Sequence, residues 1–243
     1  MLNDYGLDYD VILVNGDSYS APGNHKVYSN VLGEILNIPV KNIAWAGSNN
    51  QRIVRSTIEE IGNIKEHYKN PLVLIGWSFI RRLEVWYYGS NPKVLDRIPD
   101  RRLAQEHLKP RLVTLDVLLT HNEATLEQKC LINDDLCVHK QLVDFYTSLF
   151  MLAHTLDAMS VNYFFFSSGK NTDIPTNSFP YIDNLQQVKW CQQNKNIYKL
   201  HEFCVPNWAK ENDSDCASTG HLSVAGHEKF ANFLINLLKE STC

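Results

Sequence analysis

No two of the six cysteines form a C-x-x-C pair; Cys130, Cys137, Cys191, Cys204, Cys216 and Cys243 are scattered through the second half of the chain. That spacing argues against a zinc site and suits reduced thiols in a cytoplasmic protein. No apolar run approaches the length that crosses a bilayer. A basic excess is missing as well: 23 Lys and Arg stand against 27 Asp and Glu, a formal net charge of -4. Nothing in that balance invites nucleic acid or an anionic membrane surface. Leu2-Asn3-Asp4-Tyr5 begins an acidic, mixed N-terminus without the basic and apolar regions of a secretion signal, so cytoplasmic localisation is the expectation. In that setting Asn212-Asp213-Ser214 is a chance match to the glycosylation pattern. Several catalytic motifs are absent too. Gly-x-Ser-x-Gly does not occur, His201-Glu202 lacks a second His four positions after the first, and Gly16 is not followed by the glycine spacing of a dinucleotide or P-loop site.

What is present is alternation. Short apolar runs are separated by segments of helical period, the pattern of a parallel sheet with crossover helices. The spacing predicts strands at Asp10–Asn15, Asn42–Trp45, Leu72–Gly76 and Asn162–Phe166, with a weaker fifth at Asn196–Leu200. Helical stripes fall between them: Tyr28, Val31, Leu32, Ile35 and Leu36; then Ile53, Thr57, Ile61, Ile64 and Tyr68; then Leu142, Tyr146, Leu149, Phe150 and Ala153. The clearest is the last, in which Phe230, Phe233, Leu234, Leu237 and Leu238 form one apolar face behind Ser223 as N-cap. At 243 residues and 44% hydrophobic, the chain suits one large α/β domain over 1–243. Only about 81–135 breaks the rhythm, being rich in Arg, Pro, Asp and Asn. It reads as an insertion that leaves the third strand at its carboxyl end and serves as a lid or substrate wall, or equally as a surface elaboration or oligomer contact. The sequence leaves the oligomeric state open.

Ser18 follows directly on the first strand, in Val14-Asn15-Gly16-Asp17-Ser18-Tyr19-Ser20. A strand that stops at a Gly delivers the next side chain to the carboxyl edge of the sheet, where open α/β folds place their ligand crevices. The same run also suits a turn that caps the next helix. If Ser18 is a nucleophile it needs a base and preorganised oxyanion donors. Of the nine histidines, His221 is best placed, in the small-residue loop Ser218-Thr219-Gly220-His221 before the final helix. His227 falls inside that helix, where packing or exposure is its expected fate, and His25 ranks third.

Taken in order, the pieces resemble the SGNH (GDSL-type) hydrolases. Gly16-Asp17-Ser18-Tyr19 is similar to the family's first block, Asn42 to Asn49 to its second, Leu74-Ile75-Gly76-Trp77-Ser78 falls where its third belongs, and His221 to His227 is similar to its last. The resemblance implies a divergent member with a three-layer α/β/α sandwich and a flavodoxin-like, mainly parallel five-stranded sheet. It implies Ser18 as nucleophile, the Ser18 and Gly47 backbone N–H groups as oxyanion donors, His221 as base, and Asp17 as the residue that shapes the turn. Two positions depart from the pattern. Ser78 stands where the family has an Asn donor, with Asn49 or Asn50 on the second loop as substitutes. Ser218 stands where the family has its acid, which points to Asp215, six residues before His221, with Asp213 further back, or to a backbone carbonyl that orients the ring instead.

Beyond the blocks, Phe79-Ile80-Arg81-Arg82-Leu83-Glu84-Val85-Trp86 places two arginines near Trp77, Trp86, Tyr87 and Tyr88. Such a set suits a substrate with an anionic or sugar portion. Arg81 is kept as a substrate-binding candidate, whereas Arg82 is assigned to a structural ion pair. The expected activity is ester hydrolysis of a small molecule through an acyl-enzyme, without metal or cofactor. The alternative is a binding or structural module that retains the fold.

Overall fold

A computed structural model describes residues 5–23, 25–80, 82–87, 111–114, 122, 124–125, 128, 135–169, 182–200, 202–218 and 220–242. The main sheet contains β1 (Val11–Gly16), β2 (Val40–Asn42), β3 (Pro71–Trp77) and β6 (Asn162–Ser167), in the order β2-β1-β3-β6 with every pairing parallel. Two shorter strands, β4 (Glu84–Tyr87) and β5 (Arg111–Thr114), pair antiparallel in a separate sheet. The described α-helices are α1 (Tyr28–Leu36), α2 (Asn50–Lys65), α3 (Asp135–Ala158), α4 (Gln186–Gln193), α5 (Val205–Asn212) and α6 (Val224–Thr242).

Each residue of β1 and β3 is buried, because both faces of a parallel sheet are covered. The two-residue period divides these runs between two cores. Val11, Leu13, Val73, Ile75, Trp77 and Phe165 face α2, α3 and α4. Ile12, Val14, Leu72, Leu74, Phe164 and Phe166 face α1, α5 and α6. Full burial of one such side chain contributes about 1.5–3 kcal/mol, so both layers are strongly held.

The sheet has four strands among the described residues, not the expected five. The segment expected as the fifth touches β6 through a single parallel bridge, Phe165 with Ile197, in which the Phe165 N–H donates to Asn196 O (2.8 Å) and the Tyr198 N–H to Phe165 O (2.8 Å). Lys199 then turns to φ 36, a left-handed conformation that ends the extended run after one rung. The second strand is displaced as well: it occupies Val40–Asn42 rather than Asn42–Trp45. Past Asn42 the chain bends, with its Oδ1 accepting from Ala44 N–H (2.9 Å), and the Trp45 N–H donates to Gly16 O (3.2 Å). That bend carries the second loop over the end of β1.

Of the expected insertion, β4 and β5 are described and most of the remainder lies outside the described residues, as does Arg81. No described helix is long and apolar enough to cross a membrane.

Candidate active site

The first loop is organised by Asp17. Its backbone oxygen accepts from Ser20 N–H (3.0 Å) and Ala21 N–H (2.9 Å), and its Oδ1 accepts from Tyr19 N–H (3.1 Å). These bonds wrap the chain tightly and leave Ser18 half-buried at the carboxyl edge of the sheet. Gly16 permits the turn because a Cβ there would lie 2.8 Å from Gly76 O and 2.7 Å from Ser20 Oγ, closer than any side chain tolerates.

The last loop is held by Asp213. Its Oδ2 accepts from Ser223 N–H (2.7 Å) and its Oδ1 from Ser223 Oγ–H (2.6 Å), while Ser223 Oγ accepts from Gly226 N–H (3.0 Å). Ser223 thereby caps α6 and Asp213 clamps the cap. These hydrogen bonds also lower the Asp213 pKa, outweighing its burial. The loop so fixed carries His221 to Ser18, 203 residues away, with Nε2 and Oγ 3.1 Å apart. With its proton on Nδ1, the imidazole accepts Ser18 Oγ–H through Nε2. The ring lies flat on Tyr19, with centroids 4.3 Å apart and an interplanar angle of 8°. Burial lowers the His221 pKa; the Asp17 carboxylate opposes this and the Arg82 guanidinium adds to it. The net effect favours the neutral imidazole that a general base requires.

Asp215 is exposed, and its one hydrogen bond among the described residues runs from its own N–H to Asp213 Oδ1 (3.3 Å). The structure does not bring its carboxylate to His221. Asp213 is engaged with Ser223. Among the described residues, the Asp17 carboxylate acts on His221 electrostatically.

The second and third blocks meet through Asn50 and Ser78. Gly47 adopts φ 84, a backbone state that glycine enters readily. Among the described residues neither the Ser18 N–H nor the Gly47 N–H donates to a protein acceptor. Asn49 instead caps α2: its Oδ1 accepts from Arg52 N–H (2.9 Å), and its Nδ2 reaches Gln51 Oε1 (3.4 Å). Asn50 locks the third block, its Oδ1 accepting from Ser78 N–H (2.8 Å) and its Nδ2 donating to Ser78 O (3.2 Å).

Ser78 Oγ lies 2.9 Å from Asp17 Oδ2 and 3.0 Å from the Arg82 guanidinium. The carboxylate only accepts and the guanidinium only donates. The single hydroxyl hydrogen therefore points at Asp17, which leaves Ser78 no hydrogen for an oxyanion. Arg82 completes a buried cluster by donating to Asp17 Oδ2 (3.1 Å) and to Ser48 O (3.4 Å). Burial raises the Asp17 pKa, while Arg82, the Tyr19 N–H, Ser78 and His221 act to lower it. Trp77 is fully buried and offers no face to a sugar ring; the side chains of Trp86, Tyr87 and Tyr88 lie outside what is described.

Tyr19 and the Asp17–Arg82 pair were not singled out as site parts by sequence reasoning, whereas Asn50, a candidate donor, instead braces the Ser78 backbone. Tyr19 was accessible in principle, as an aromatic residue directly after the serine. Arg82 and Asp17 are 65 positions apart and carry no local signal. His227 is a strut: its Nδ1 accepts from Tyr28 N–H (3.1 Å) and its Nε2 meets His25 Nε2 at 3.3 Å. Burial, followed by the neighbouring His25, pushes its pKa down to about 4.

No family model matches the chain, and no curated protein does. Among solved structures it is similar to a protein of the G-D-S-L family from Desulfitobacterium hafniense, at 12% identity over 94% of this chain and 99% of the other (TM-score 0.44). It is similar to a lipase/acylhydrolase from Enterococcus faecalis, at 13% identity over 95% of each chain (TM-score 0.42). A catalytic mutant of an acetylxylan esterase from Geobacillus stearothermophilus is also similar, at 13% identity over 94% of each chain (TM-score 0.42).

Proposed function

We propose that this protein is a serine-dependent ester hydrolase, a divergent SGNH-type enzyme that forms an acyl-enzyme at Ser18 and acts on small-molecule esters. The observation that carries the reading is the 3.1 Å approach of Ser18 Oγ to His221 Nε2. Ser18 Oγ attacks the ester carbonyl and its proton passes to His221 Nε2. The oxyanion is received by the Ser18 and Gly47 N–H groups. Collapse of the intermediate expels the alkoxide, which takes the proton from His221. Water then attacks the acyl group, gives its proton to His221, and Ser18 leaves with that proton restored. Tyr19 holds the imidazole plane by stacking, and Asp17 stabilises the imidazolium through space. A missing third oxyanion donor typically lowers the rate by ~10²–10³, so a slow esterase is expected.

A fluorophosphonate probe should label Ser18, and Ser18→Ala should abolish labelling and reduce turnover of short 4-nitrophenyl esters by at least ~10³. Labelling at another residue, or turnover that survives the substitution, would overturn the mechanism. Ligand binding without turnover, unaffected by Ser18→Ala, would instead identify a binding module.

A further inference from the structure

Arg52 stands on the first turn of α2, half-buried beside the second loop. A guanidinium offers five N–H donors. Among the described residues its one side-chain hydrogen bond goes to a neutral partner, Ser48 Oγ, at 2.6 Å. The nearest acidic groups are otherwise placed. Glu84 is held by Arg55 through both oxygens (2.8 and 3.0 Å). Glu59 is exposed two turns further along the same helix. Burial pushes the Arg52 pKa down to about 10, with Glu84 and Glu59 opposing and Arg55 adding to the effect, so the group is still a cation at neutral pH. A half-buried cation without an anionic partner is unfavourable until an anion completes it.

Its position says where that anion would lie. Arg52 bonds the hydroxyl of Ser48, and Arg82 approaches the backbone oxygen of the same residue (3.4 Å). Two guanidiniums thus flank the residue that follows Gly47, and one of them, Arg82, also bonds Asp17, the residue before Ser18. Arg82 is committed to Asp17 and Ser78. Arg52 holds the open fork, and such a fork matches the paired oxygens of a carboxylate or phosphate.

We infer that Arg52 is a specificity-determining residue that seats a carboxylate or phosphate group of the substrate beside the oxyanion loop, so that the site prefers anionic esters to neutral ones. This rests on the hydrolase reading for what the anion is attached to. Two matched pairs test it: mono-4-nitrophenyl adipate against 4-nitrophenyl hexanoate for an anion on the acyl side, and 3-acetoxybenzoate against its methyl ester for one on the alcohol side. At least one pair should show kcat/KM higher for the anionic member by about 10- to 100-fold, the range a charge-assisted hydrogen bond spans. Arg52→Gln should bring that ratio near one, and Arg52→Lys, which keeps the charge and loses the fork, should leave it intermediate. The lysine variant alone carries the test if the glutamine variant does not fold. Ratios at or below one in both pairs would overturn the inference, as would a preference that survives in folded Arg52→Gln. Calorimetric titration with phenylphosphonate and with benzoate separates this from the parent reading. Arg52-dependent binding without turnover of any ester upholds the anion seat and ends the hydrolase reading, whereas turnover without Arg52-dependent binding or preference does the reverse.

Discussion

Replacing Arg82 by Gln tests the electrostatic floor of the site. Asp17 is fully buried, and the Arg82 side chain is 18% exposed. Removing one partner of a buried pair costs about 3–5 kcal/mol, because the other charge is left without compensation. Since the guanidinium reaches solvent, the lower end, about 3 kcal/mol, is expected. For a chain of this size that corresponds to a fall in Tm of about 6–12 °C. The loss should depend on pH in a definite direction. Burial already raises the Asp17 pKa above 3.8, and Arg82 is the strongest influence pulling it down. Without Arg82 the folded-state pKa rises further, so over the window between 3.8 and that raised value the folded state holds a proton that the unfolded state has released. Stability of the variant therefore falls as pH rises through this window, and the full deficit is present above it. Urea denaturation followed by circular dichroism should show the gap between variant and native protein widest at neutral pH and narrowing on acidification. Asp17→Asn combined with Arg82→Gln should recover much of it. A neutral-pH deficit under about 1 kcal/mol, or one that does not change on acidification, would refute the reasoning.

Three further outcomes are expected. Because burial lowers the His221 pKa from 6.5 and the neutral ring is the base, the acid limb of kcat/KM for a neutral ester should rise through an apparent pKa below 6.5; a limb at or above it would contradict the assignment. Tyr19→Leu removes an aromatic stack, a contact of about 0.5–1.5 kcal/mol, and should lower kcat roughly 3- to 10-fold. Tyr19→Phe keeps the ring and should retain more activity than the leucine variant; equal losses in the two would show that stacking is not what orients His221. A Cβ at Gly226 would lie 2.0 Å from Asp213 Oδ2, so Gly226→Ala should break the clamp on Ser223 and lower stability by about 1–2 kcal/mol. The same substitution in an unclamped helix would stabilise by about 0.5–1 kcal/mol, so the sign of the change in Tm decides the matter.

Much of the scaffold could be read from residue order because its causes are local. The apolar runs of β1, β3 and β6 and the stripe of α6 obey periods of two and of three to four, which follow from backbone geometry. The displacement of β2 and the loss of the fifth strand could not be read in this way. Both depend on where the chain turns: at Asn42, whose side chain bonds Ala44 N–H, and at Lys199, whose positive φ ends pairing after one rung. Motif order nominated Ser18, Gly47 and His221. The same reasoning chose Asp215 for its spacing, although the fold leaves that residue exposed and gives Asp213 to the cap of α6.

By itself the sequence determined the layered α/β plan and the edge of the sheet on which a serine would emerge. The tertiary structure alone decided which side chains share a hydrogen bond there. Ser18 with His221, Asp17 with Arg82 and Asn50 with Ser78 are joined across 203, 65 and 28 positions. The reason is physical: periodicity is set by neighbours along the chain, whereas ion pairs and hydrogen bonds depend on distance through space and on exclusion of water, and neither exists until the layers have packed.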